Sequence, residues 1–164
     1  MKMMLIVFGT LFVVYYAYTE STQEDFGSPL FLTPHIECGD VVTGREMAHV
    51  NTSMLQGLDE DIASYSGFLT VDKENHGNMF FWFFPAEEDA EDAPLVIWLQ
   101  GGPGLSAMLG ALKLHGPIIT KVDTNNQLTG VDRNPYSWAR RHNMLYIDNP
   151  VGAGKHGKLK TNIY

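Results

Sequence analysis

A chain of 164 residues with 45% hydrophobic and 18% charged residues is long enough for one globular core, too short for two ordinary domains, and too apolar to be disordered. Eleven Lys and Arg against nineteen Asp and Glu give a net charge of −8, a field that repels phosphate backbones, so nucleic acid is excluded as a natural partner. The single cysteine, Cys38, cannot form an internal disulfide, and in a secreted chain it implies a free thiol or a partner supplied from elsewhere.

Residues 1–19 read as a signal peptide. Lys2 gives a positive start, Met3 to Tyr16 is almost wholly apolar, and Ala17-Tyr18-Thr19 offers small residues at a cleavage spacing. The run is shorter than the ~20 apolar residues of a membrane span and is interrupted by Gly9-Thr10, so no membrane attachment is expected once it is removed. A secretory route gives meaning to Asn51-Thr52-Ser53, the one N-x-S/T sequon, and makes Asn51 a candidate glycosylation site that has to be exposed.

Residues 20–62 are rich in Ser, Thr, Gly and Glu, and Pro29 and Pro34 break any regular pattern, so an extended segment is predicted there. From Tyr65 the texture changes. Tyr65–Val71 and Met79–Phe84 are aromatic and β-branched runs around the polar turn Lys73–Asn78, the pattern of a hairpin. Phe80–Phe84 does not alternate with polar residues, so both faces of that strand should be covered. Glu87–Asp92 is five-sixths acidic and reads as a solvated loop; it lacks the ligand spacing of an EF-hand.

Leu95–Leu99 is a second continuous apolar run, predicted as a buried strand, and it ends on Gln100-Gly101-Gly102-Pro103-Gly104. Leu105–Leu114 has helical spacing and stops at Gly116-Pro117. Thr120–Leu128 reads as a polar excursion, Trp138–His142 as a short turn or helix, and Met144–Ile147 as another buried strand. Hairpin, strand, glycine turn, helix and strand in that order argue an α/β sheet. The last ten residues, 155–164, hold three lysines and no acid, unlike everything before them.

A strand that ends in Gly-Gly-Pro-Gly and runs into a helix can present backbone N–H groups to an anion. Pro94–Gly104 as a whole resembles the signature of the serine carboxypeptidases of peptidase family S10. His115-Gly116-Pro117, Asn134-Pro135-Tyr136-Ser137-Trp138 and Asp148–Gly154 follow in that family's order and spacing. Gly104-Leu105-Ser106-Ala107 makes the vitellogenic carboxypeptidase-like branch the nearest in flavour.

The resemblance implies the N-terminal portion of an α/β-hydrolase fold over residues 63–154 and an exopeptidase that removes C-terminal residues, often at acidic pH, through a Ser-Asp-His triad. It is a lysosomal, vacuolar or secreted family, and it needs no cofactor and no metal. Carried onto this chain, Gly102 would donate its N–H to the oxyanion, and Trp98, Gln100 and Gly101 would face the terminal carboxylate of a peptide, the partner class implied. Gln100 stands where the family usually has Asn, and Leu114 where it usually has a Glu that shares a proton with that carboxylate.

The family continues into a Gly-Glu-Ser-Tyr-Ala-Gly elbow that carries the nucleophile, whereas Lys155-His156-Gly157 stands here instead and no G-x-S-x-G occurs in the 164 residues. The resemblance is thus expected to cover about the first third of a family member, without the triad. That predicts a truncated chain inactive by itself or, as the alternative, a secreted module that binds peptide C-termini without catalysis. Loss of a hydrolase nucleophile costs about 10⁶ in kcat, far more than the ~10²–10³ of one oxyanion donor, so Gly102 cannot rescue the reaction. In such a chain Met144–Asp148 is expected to become an exposed sheet edge, with poor solubility or partial unfolding after about Tyr136 and self-association through that edge.

Three rival constellations are weaker. Ser106 with Asp132 and His142 has hydrolase order, but Met108 replaces the elbow glycine. Gly152–Lys158 satisfies G-x-x-x-x-G-K, yet Leu159 stands where a Mg²⁺-binding Ser or Thr belongs. His35 and Cys38 form a lone pair, with no second pair to complete a zinc site. His76 and His142 read as loop or surface histidines.

Overall fold

A computed structural model describes residues 28–102 and 104–151. The stretch read as a signal peptide, the G-x-x-x-x-G-K run and the basic tail lie outside the described residues.

The segment before Tyr65 departs from the extended reading. It carries α1 (Thr33–Glu37) and α2 (Val41–Ala48), then a 3₁₀ turn at Thr52–Met54. Pro34 starts α1 rather than breaking it: in a first helical turn its missing N–H has no intrahelical acceptor to lose, and its fixed φ already suits the helix.

The predicted hairpin forms as β1 (Tyr65–Asp72) and β2 (Gly77–Phe84), antiparallel, with Gly67 opposite Phe81. Two further strands, β3 (Leu95–Leu99) and β6 (Asn143–Ile147), complete a four-stranded sheet of order β1-β2-β6-β3. β6 is antiparallel to β2 and parallel to β3, with Ile97 opposite Leu145.

Parallel neighbours need a long crossover, and here it spans Gln100 to His142. It contains a π-helical turn at Gly110–Leu114, a second hairpin of β4 (Ile118–Val122) and β5 (Leu128–Arg133), and a 3₁₀ turn at Trp138–Arg140. The helix foreseen over Leu105–Leu114 is therefore short. The stretch taken for a polar excursion is largely that second hairpin, overlooked because its residues from Lys121 to Thr129 are all exposed and show no apolar face.

Both faces of β2 are covered, as its unbroken aromatic run requires. Trp82 and Phe84 pack with Met144, Tyr146 and Val96 against the crossover, whereas Phe81 and Phe83 pack with Leu145 and Ile147 toward Leu32 and Ala48 of the helical segment. Phe84, Met144 and Tyr146 are fully buried, each contributing about 1.5–3 kcal/mol of transfer free energy.

The exposed edge falls elsewhere than predicted. β6, expected to be the edge, lies between β2 and β3; among the described residues the edges are β1, bridged on its outer side at Phe31 and His49, and β3, which pairs only with β6. The reading of Leu95–Leu99 as buried on both faces is corrected with it: Val96 and Trp98 pack inward, but Leu95, Ile97 and Leu99 are each more than half exposed.

Candidate functional site

β3 and β6 run parallel and in register, Leu99 opposite Ile147, so the segments that follow them leave the sheet side by side. The open end of parallel strands is where α/β sheets commonly place ligands. After β3 comes the glycine turn; after β6 comes Asp148.

Period-2 alternation sends Trp98 to the packed face of β3. Its indole Nε1–H donates to Gln100 Oε1 at 3.0 Å, and since indole is only a donor, this fixes which end of the carboxamide faces it. Gly110 permits the arrangement, because a Cβ there would stand 2.6 Å from Trp98 Nε1. Gly101 and Gly102 follow on the exposed surface. Gly102 has φ +146°, a conformation L side chains rarely adopt, and a Cβ on it would sit 3.2 Å from the Leu105 nitrogen.

Past the turn, Ser106 Oγ donates to Asp148 Oδ1 at 2.7 Å and accepts the N–H of Met108 at 3.1 Å. The Ala107 N–H donates to the same Asp148 oxygen at 2.7 Å. Ser106 therefore ties the start of the helical turn to the end of β6. The rival triad is not assembled: Asp132 pairs with Lys121 at 2.8 Å in the second hairpin, and His142 Nδ1 lies 3.2 Å from the Trp138 carbonyl.

Behind the turn lies an aromatic cluster. The His115 ring stacks on Trp138 with centroids 4.3 Å apart, meets Trp98 edgewise at 4.4 Å, and lies nearly parallel to Tyr146 at 5.7 Å. His115 Nδ1 is 3.1 Å from the Tyr146 hydroxyl, while Nε2 is buried with no partner among the described residues. Burial holds the His115 pKa below the ordinary histidine value and pushes the Tyr146 phenol up, so the site favours the neutral form of both.

The motifs noticed along the chain meet here. Asn134 Nδ2 donates to the carbonyls of Gly116 at 2.9 Å and Leu114 at 3.3 Å, its Oδ1 accepts the Tyr136 N–H, and its own N–H reaches the Pro117 carbonyl. The Trp138 N–H closes on the His115 carbonyl at 2.9 Å. Sequence reading missed this clasp and the Ser106–Asp148 link, since neither has a local spacing that announces it. Leu114 is 53% exposed, its side chain at the surface rather than in the cluster.

Elsewhere, Cys38 is an exposed free thiol whose Sγ lies 3.5 Å from the His35 carbonyl. No group of three or more His, Cys, Asp or Glu able to hold a metal occurs among the described residues, and no helix among them is long and apolar enough to cross a membrane. The acidic loop is partly neutralised: Glu88 pairs with Arg140 at 3.2 Å and Arg141 at 3.3 Å, and Glu87 with Arg133 at 3.3 Å. Asn51 is exposed, near the start of β1 at the other edge of the sheet.

Comparison with known proteins meets this geometry. A family model described as serine carboxypeptidase matches residues 55–155. The chain is 50% identical over 133 residues to the venom serine carboxypeptidase of Apis mellifera, covering 80% of this chain and 26% of the relative. It is 44% identical over 128 residues to the vitellogenic carboxypeptidase of Aedes aegypti, covering 78% and 25%. Its fold matches the crystal structure of Kex1(delta)p, a prohormone-processing carboxypeptidase from Saccharomyces cerevisiae, with a TM-score of 0.58 and 29% identity over 73% of this chain and 28% of that one. The chain thus spans about a quarter of the length of the curated relatives it matches, less than the third expected from its motifs. With the glycine turn, the His115 and Asn134 clasp and Asp148 all inside the matched region, the chain belongs to the serine carboxypeptidase family.

Proposed function

We propose that this chain supplies the carboxylate-binding and oxyanion-binding side of a serine-type carboxypeptidase with an α/β-hydrolase fold, acting on the C-termini of peptides. In this reading Gly102 donates its N–H to the oxyanion, and Trp98, Gln100 and Gly101 face the terminal carboxylate. The observation that carries it is the end of β3. There an indole holds the Gln100 oxygen, leaving the amide hydrogens as what Gln100 offers a ligand, and a left-handed Gly102 follows on the exposed surface beside the parallel strand β6.

The nucleophile does not belong to this set. Ser106 spends its hydroxyl on Asp148, and the 164 residues contain no G-x-S-x-G, so these residues alone bind without cleaving. The route we propose is secretory, supported by the apolar leader read in residues 1–19 and by the likeness to a venom enzyme.

Calorimetric titration with a short peptide bearing a free C-terminal carboxylate tests the binding role. Weak, saturable binding that disappears when the peptide is amidated, and weakens in Gln100→Ala, is the expected result. Equal binding of the amide overturns the assignment.

A further inference from the structure

The sequon Asn51-Thr52-Ser53 takes no part in the proposed carboxylate and oxyanion site, and its setting is specific. Asn51 is exposed, and its Oδ1 is turned back onto its own residues, accepting the Ser53 hydroxyl at 2.6 Å and the Ser53 N–H at 3.2 Å. Both of these bonds use Oδ1, and neither engages Nδ2. The sequon's third residue is thus already in hydrogen-bond contact with the amide that would be modified.

The middle residue fixes the tripeptide to the fold. Thr52 is fully buried; its N–H and its hydroxyl both donate to Asp61 Oδ1 at 2.8 Å, and its Oγ1 accepts the Ile62 N–H at 2.6 Å. On the other side, the Val50 N–H donates to the Ser64 carbonyl at 2.9 Å. The tripeptide is therefore an exposed turn clamped at its centre, beside the start of β1.

We infer that Asn51 is an N-glycosylation site. The step joins Nδ2 to the anomeric carbon of an oligosaccharide carried on a lipid pyrophosphate. The anomeric C–O bond breaks with its electron pair leaving on the pyrophosphate, and one Nδ2 proton passes to a base of the transferase. The sugar stands at the β1 edge of the sheet, across three strands from the glycine turn after β3, so it leaves the peptide side open. The inference uses the proposed secretory route and not the carboxylate assignment.

The full chain is translated with microsomes in two forms, one with its own first 19 residues and one with a proven cleavable leader in their place. The expected result, in the form that enters the vesicles, is a single glycosidase-sensitive mobility shift, with Asn51 read as Asp after amidase release. The shift disappears in Ser53→Ala and persists in Ser53→Thr, which keeps the hydroxyl. Glycosylation of the substituted-leader form alone still supports the site and counts against the leader. A protease-protected chain without sugar, or a shift that survives Ser53→Ala, overturns the inference.

Discussion

Asp148 and Ser106, 42 residues apart in sequence, share a hydrogen bond of 2.7 Å that fastens the end of β6 to the turn after β3. Asp148 is 2% exposed and also receives the Ala107 N–H, so removing its carboxylate orphans two donors. Asp148→Ala is expected to cost about 2–3 kcal/mol in urea unfolding and Ser106→Ala about 1 kcal/mol, with the double variant costing less than their sum. Additive losses would mean the two residues act independently.

Gly110 has no room for a side chain because the Trp98 indole lies against it, a built Cβ standing 2.8 Å from Trp98 Cδ1. Gly110→Ala is expected to displace the indole and cost about 1–3 kcal/mol through overpacking. The Trp98 Nε1–H resonance should move toward the position it takes in Gln100→Ala, since both changes break the same hydrogen bond. An unmoved resonance would show that the alanine is accommodated without touching Trp98.

His115 predicts an acid-sensitive step in stability. Its folded pKa is depressed by burial, so just below the ordinary histidine pKa of about 6.5 the unfolded chain binds a proton that the folded chain does not. Stability contributed by the neutral ring is then fully present above about pH 6.5, declines as pH falls, and is lost as pH passes the folded pKa. The double variant His115→Phe with Tyr146→Phe keeps the ring stack and removes both ring nitrogens and the hydroxyl, and is expected to flatten this part of the profile. Asp61, Asp72 and Asp132, whose pKa values are held down chiefly by side-chain hydrogen bonds from Thr52, Asn75 and Lys121, act only at lower pH. A urea midpoint constant from pH 7.5 to 5, or an unchanged decline in the double variant, would contradict the assignment.

The parts legible in the sequence were those with strong local signals. The aromatic runs of β1 and β2, the apolar runs of β3 and β6 and the glycine turn each carry their period and punctuation within a few residues. α1 and α2 were missed because they are short and rich in Thr, Gly and charge, and because Pro34 read as a breaker when it sits in a first turn. Which apolar strand is the edge was not legible at all: Leu95–Leu99 and Met144–Ile147 look alike, and only the strand order separates them. The site divides the same way. Gln100 to Gly102 were singled out by their motif, whereas the contact of His115 with Tyr146 and that of Ser106 with Asp148 depend on long-range closure.

β3, which among the described residues pairs only with β6, gives a prediction about association. Ile97 is 54% exposed at the centre of a strand that pairs on one side with β6, which makes it the natural place for another strand to add. Concentration-dependent self-association is expected in sedimentation velocity, and Ile97→Lys should reduce it without changing the melting profile. A wild-type chain that stays monomeric, or a variant that associates equally, would remove the edge as the cause.

The central proposal is that Trp98 and Gln100 to Gly102 form the binding side of a carboxypeptidase and that Ser106 is not a nucleophile. Incubating the purified 164-residue chain with a blocked dipeptide from acidic to neutral pH, and following release of the C-terminal amino acid, tests it most directly. The account predicts no release from either the chain or its Ser106→Ala variant. Turnover by the chain that Ser106→Ala abolishes would contradict it.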